Sequence, residues 1–137
     1  VFKKTYLAIV SGHLKNKNGT INAPIARKEN SIIERVVSPN GQQAITHYEV
    51  LQEFNNYSLV QCTLETGRTH QIRVHMAYIG HPVLGDPLYG PKKVIGDFGQ
   101  FLHAKTLGFT HPRTNEYMEF ESELPEIFKE KINELKK

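Results

Sequence analysis

The sequence has no tryptophan, a single cysteine and two aspartates. It also has no apolar run approaching the roughly 20 residues that a membrane-spanning helix needs. Each shortage removes a class of explanation. Cys62 has no partner within the chain, so no internal disulfide can form, as expected of a protein from a reducing compartment, the cytoplasm. The opening Val1-Phe2-Lys3-Lys4-Thr5-Tyr6 lacks the apolar stretch and small-residue cleavage site of a secretory signal. Without tryptophan, the aromatic content rests on seven Phe and six Tyr. Any chemistry that requires a presented aspartate has two candidates, Asp86 and Asp97, and each follows a glycine in a turn-like context.

What is present fits one domain. A chain of 137 residues can bury a useful core, and 39% apolar with 23% charged residues is ordinary for a globular protein. The net charge of +3 is unevenly spread. Residues 1–112 carry 12 Lys/Arg against 7 Asp/Glu, a balance of +5, and residues 113–137 carry 5 against 7, a balance of −2. A basic body is compatible with a polyanion such as nucleic acid without requiring one.

Thr5 to Val10 is an apolar run of strand length and reads as a buried strand. Lys15 to Gly19 reads as a turn, and Ile21 to Arg27 and Ile32 to Val37 as short strands or extended arms. Ala44 to Phe54 and Tyr57 to Leu64 alternate well and are joined by Asn55-Asn56, the pattern of a hairpin. Arg68 to Ile79 fits either period. Its length and the stop signal Gly80-His81-Pro82 favour a helix. Gly85 to Pro91 reads as a turn-rich loop, and Phe101 to Thr110 with Glu116 to Ser122 as a second hairpin. Ile127, Phe128, Ile132 and Leu135 mark one face of a C-terminal helix. The expected class is α+β, with a mainly antiparallel mixed sheet and a few helices.

The informative stretch is Thr66-Gly67-Arg68-Thr69-His70-Gln71-Ile72-Arg73-Val74-His75, followed by Gly80-His81-Pro82 and Gly85-Asp86-Pro87-Leu88-Tyr89-Gly90. Its histidines invite a metal-site reading, but His70 and His75 are five apart, about 140° around a helix, and fall on opposite faces of a strand. Arg68 and Arg73 can each bind phosphate or carboxylate in bidentate fashion, or can simply be solvated. A third reading pairs one arginine with a carboxylate that must stay ionised. Asp86 reads more simply as a turn-former, and Asp97 looks similar.

This stretch resembles the signature block of the RluA-type pseudouridine synthases. Three collinear segments extend the likeness over nearly the whole chain: Lys4-Thr5-Tyr6-Leu7-Ala8-Ile9-Val10-Ser11-Gly12, Ala44-Ile45-Thr46-His47-Tyr48-Glu49-Val50, and Leu102-His103-Ala104 with His111-Pro112 and Leu124-Pro125. The resemblance implies isomerisation of uridine in structured RNA (rRNA or tRNA), with no metal and no organic cofactor. The uridine is flipped from its stack, and an aspartate attacks it. By the same resemblance, Tyr6 stacks on the base and helps handle its proton, and Arg73 pairs with the catalytic aspartate. Arg68 and His70 would support the fold or an RNA phosphate. Lys92 and Lys93, like Lys3 and Lys4, are candidates for phosphate contact or plain solvated surface.

The family's nucleophile lies in a His-Arg-Leu-Asp type motif before the tyrosine strand, and these residues contain no such motif. Residues 1–137 are therefore expected to be the C-terminal portion of a catalytic domain, inactive alone for want of a nucleophile. Arg73 is expected to lack a partner here. A severed sheet should expose an edge near residues 5–10 and favour a dimer or aggregate. His75, His81, His103 and His111 read as structural histidines hydrogen-bonded within the fold, and Gly80, Gly85 and Gly90 as turn residues with positive φ. The competing class is a non-catalytic RNA-binding module with the same sheet.

Overall fold

The computed structural model describes residues 2–90, 100–110 and 113–136. Its centre is a six-stranded antiparallel sheet with the order β2-β5-β6-β1-β7-β8. The strands are β1 (Phe2–Ser11), β2 (Asn18–Asn22), β5 (Ile45–Glu53), β6 (Tyr57–Leu64), β7 (Leu102–Thr110) and β8 (Tyr117–Glu121). A separate two-stranded ribbon is formed by β3 (Ile25–Arg27) and β4 (Arg35–Val37). Helix α1 (Gln71–Tyr78) follows the β5–β6 hairpin, and helix α2 (Glu126–Leu135) follows β8.

Strand alternation sorts the core into two layers. Ala8 and Val10 of β1, with Val60 and Cys62 of β6, pack against Ile72 and Met76 of α1. Leu7 and Ile9, on the opposite face, pack with Leu59 and with Phe128 of α2. Burying such an aliphatic or aromatic side chain stabilises by roughly 1.5–3 kcal/mol. The unbroken apolar run Leu7–Val10 follows from this, because a strand covered on both faces has no polar positions.

That same run explains a correction. Residues 5–10 do not form an exposed edge: β1 pairs with β6 on one side and β7 on the other, from Lys4↔Leu64 to Ser11↔Tyr57 and from Phe2↔Phe109 to Ala8↔Leu102. The outer strands of the sheet are β2 and β8. A strand apolar on both faces belongs at the centre of a sheet, and the pairing route to a dimer through residues 5–10 is closed.

Two of the three glycines read as turn residues have the expected positive φ. Gly80 has φ +91° and takes the chain out of α1, and its N–H donates to the Ala77 carbonyl. Gly85, with φ +77°, also matches the expected turn role. Gly90 does not: its φ is not positive, and its side-chain-free Cα is required because a Cβ would come 2.6 Å from the Asp86 carbonyl oxygen.

Candidate active site

The signature residues begin in the loop after β6 and run into α1. His70 enters the helix in the left-handed region, with φ 57°. Gln71 fastens this entry to the sheet. Its Oε1 accepts from the Thr66 hydroxyl at 2.7 Å and the Arg68 N–H at 3.0 Å, and its Nε2 donates to the Ile45 carbonyl and Thr46 Oγ1, both at 3.0 Å. The first six residues of α1 are all buried. Such a helix has no wet face to betray its period, which is why Arg68–Ile79 looks ambiguous as a sequence.

Buried polar groups in that helix must be satisfied internally. His75 Nε2 lies 2.9 Å from the Ala23 carbonyl, which can only accept, so Nε2 carries the proton. Nδ1 then accepts from the Thr46 hydroxyl at 2.8 Å. Burial lowers the His75 pKa, and the ring is held neutral. His81 hydrogen-bonds the Ser11 carbonyl through Nδ1 at 2.8 Å, again as expected of a structural histidine. His103 departs from that expectation, since its Nε2 is buried with no hydrogen-bond partner among the described residues. His111 lies outside the described residues.

Arg73 occupies the centre of the site, and it is not without a partner. Its Nε donates to Asp86 Oδ2 and its Nη2 to Asp86 Oδ1, both at 2.8 Å. The Asp86 side chain is fully buried and that of Arg73 is 11% exposed. Asp86 Oδ1 also accepts from the backbone N–H of Leu88 at 2.9 Å and Tyr89 at 3.1 Å. The turn-forming role read for Asp86 is real, and a second role as the arginine's counter-ion is added to it. Burial pushes the Asp86 carboxyl up, but the bonds from Arg73, Tyr89 and Leu88 outweigh it and leave the pKa below its ordinary value. The hydrogen bond to Asp86 in turn raises the Arg73 pKa.

Tyr89 completes the clamp. Its ring centroid lies 5.1 Å from the Arg73 guanidinium carbon, a cation–π contact. Its hydroxyl accepts from the Arg35 N–H at 2.8 Å and meets His70 Nδ1 at 2.7 Å. Desolvation and the two neighbouring arginines lower the His70 pKa. His70 is thus a link between α1 and the ribbon, not a free cation on the surface. With Nε and Nη2 committed to Asp86, Arg73 keeps its Nη1 amine, which makes no hydrogen bond among the described residues.

Tyr6 lies on the α1 side of the sheet, packed against the cluster that includes Ile72 and Met76. With Lys4, Ala104 and Glu121 it lines an open, mostly apolar pocket of about 350 Å³. A Cβ on Gly67 would come within 3.3 Å of Lys4 Nζ, so the loop bearing Arg68 borders the strand bearing Tyr6. Arg68 donates through Nε to the Gln43 carbonyl at 2.7 Å. Lys92, Lys93 and Asp97 lie outside the described residues.

A tyrosine at an apolar pocket can hold a planar ring, and a guanidinium fixed on one side by a carboxylate can take a further anion on the other. Comparison with known proteins identifies the family. The model of the RNA pseudouridylate synthase family matches residues 1–78. The uncharacterized RNA pseudouridine synthase YlyB of Bacillus subtilis is 53% identical over 134 residues, covering 98% of this chain and 44% of that protein. The ribosomal large subunit pseudouridine synthase D of Haemophilus influenzae is 43% identical, covering 97% of this chain and 45% of that protein. The solved structure of human RNA Pseudouridylate Synthase Domain Containing 1 superposes with a TM-score of 0.80 at 31% identity, over 90% of this chain and 55% of that one. The chain belongs to the RNA pseudouridine synthase family. It spans less than half the length of the two bacterial relatives.

Proposed function

We propose that the protein containing these residues isomerises uridine to pseudouridine in structured RNA, without metal or organic cofactor, and acts in the cytoplasm. The name of the Haemophilus relative favours ribosomal RNA over tRNA as the substrate. Tyr6 packs on the flipped uracil and helps manage its proton. Arg73 holds the nucleophilic carboxylate ionised through the Nη1 side of its guanidinium. That carboxylate comes from outside residues 1–137, which form the C-terminal portion of the catalytic domain. Asp86 cannot take its place, being fully buried and engaged in four hydrogen bonds.

The observation that carries this reading is the state of Arg73. A guanidinium oriented on one side by a buried carboxylate and left with hydrogen-bonding capacity on the other is preorganised for a second anion. Mapping pseudouridines in total RNA from cells with and without the gene tests the function. One or more uridines should lose modification in the deletion and regain it on complementation. An unchanged map would favour the non-catalytic RNA-binding module.

A further inference from the structure

The β3–β4 ribbon holds two features that the site above does not use. Arg27 and Arg35 are direct cross-strand partners. Like charges in that register repel, since opposite Cβ atoms are only about 5 Å apart. Both line an open pocket of about 430 Å³ whose wall also includes Arg68, Asn40 and Thr69, and none of whose lining residues is acidic. Glu34, the acid next to Arg35 in sequence, is engaged by Lys28 at 3.0 Å. Three arginines lining one opening without an acidic residue make a site suited to an anion.

The second feature is apolar. The loop between β3 and β4 carries Ile32 and Ile33, exposed to 84% and 61%, the highest values of the large hydrophobics in the described residues. Arg35 joins the two features. Its Nη1 donates to the carbonyls of Ile32 and Ile33 at 3.2 Å and of Glu34 at 3.3 Å, holding the loop that presents the isoleucines. Because Gly67 borders Lys4, the arginine pocket lies along the rim that leads to Tyr6.

The geometry points to an RNA-docking arm, in which the Arg27–Arg35–Arg68 pocket grips one backbone phosphate and Ile32 and Ile33 pack on bases exposed beside it. Arginine neutralises and orients phosphate, and apolar side chains next to such a grip stack on or wedge between bases. This inference rests on the RNA-modifying reading and extends it by assigning where the RNA backbone is held.

The test uses the whole protein and a fluorescently labelled RNA stem–loop, with affinity measured by anisotropy across a salt series. R27Q/R35Q should weaken binding at least several-fold and flatten the dependence of log Kd on log salt by about one unit for each phosphate no longer neutralised. R27E alone, at an exposed position with little bearing on folding, should do the same in part. I32S/I33S should weaken binding with an unchanged salt slope. Unaltered slopes in R27Q/R35Q and R27E, in a protein that still binds RNA and modifies uridine, would overturn the arm and leave the enzyme reading intact. Failure of the unmutated protein to bind any RNA would overturn the enzyme reading first. A large fall in Tm for I32S/I33S with RNA affinity unchanged would show that protein covers the two isoleucines, which also overturns the proposal.

Discussion

Arg73 and Asp86 form a pair in which each charge is tolerable because of the other. Removing one partner of a buried pair leaves the survivor desolvated, at a cost of about 3–5 kcal/mol. R73A and D86A should each lower stability by that order, and the double variant by less than their sum, as read from urea unfolding in a double-mutant cycle. Activity separates the roles. In the whole protein, D86N keeps an acceptor near Arg73 but loses the bidentate charge, so it should lower kcat by one to two orders of magnitude with little change in KM, as expected for a misplaced reacting group. A D86N enzyme with unchanged kcat would leave Asp86 a purely structural residue.

His75 makes a pH prediction at the same scale. Its folded pKa is lowered, so below the ordinary value of 6.5 the unfolded chain binds a proton that the native ring refuses. Stability from this group is complete above about pH 6.5 and declines as pH falls toward the folded value, with a slope of at most about 1.4 kcal/mol per pH unit. Unfolding midpoints at pH 7.5 and 5.5 should differ in that direction, and by less in H75Q. His70 is shifted the same way and accounts for part of what remains.

Among the elements, those with a clean period were legible in the sequence. The β5–β6 hairpin and the C-terminal helix follow their alternation and their 3.6-residue spacing, because each has one dry and one wetter face. Helix α1 was harder, since a helix enclosed on nearly all sides loses its periodic signal and displays polar residues that are satisfied inside. The partner of Arg73 was hidden for a related reason. A Gly-Asp-Pro turn explains Asp86 by itself, and nothing local reveals a bond to a residue 13 positions away in sequence. The clue was scarcity: one of two aspartates stood inside the signature block. The ribbon depends on a close approach that the sequence marks only by a glycine. A Cβ on Gly41 would meet the Ile25 backbone at 2.5–2.8 Å, so G41A should shift the root of the ribbon. Thermal melting should detect the destabilisation, and RNA affinity should fall with it if the ribbon is the docking arm.

At the scale of the whole molecule, the sheet is organised around β1, which is covered on both faces and paired on both edges. Cys62 lies at this centre, and burial pushes its thiol up to about 12. It should therefore resist thiol reagents until the sheet unfolds. Within this frame Tyr6 and α1 share one side of the sheet, and Arg73 of α1 is held in a fixed direction by Asp86. On the function proposed above, residues 1–137 would hold a nucleophile in place without being its source. The most direct measurement compares residues 1–137 with the whole protein on a uridine-containing ribosomal RNA transcript, counting pseudouridine by mass spectrometry. The whole protein should convert its target uridine and residues 1–137 should give none; turnover by residues 1–137 alone would contradict the roles assigned to Arg73 and Asp86.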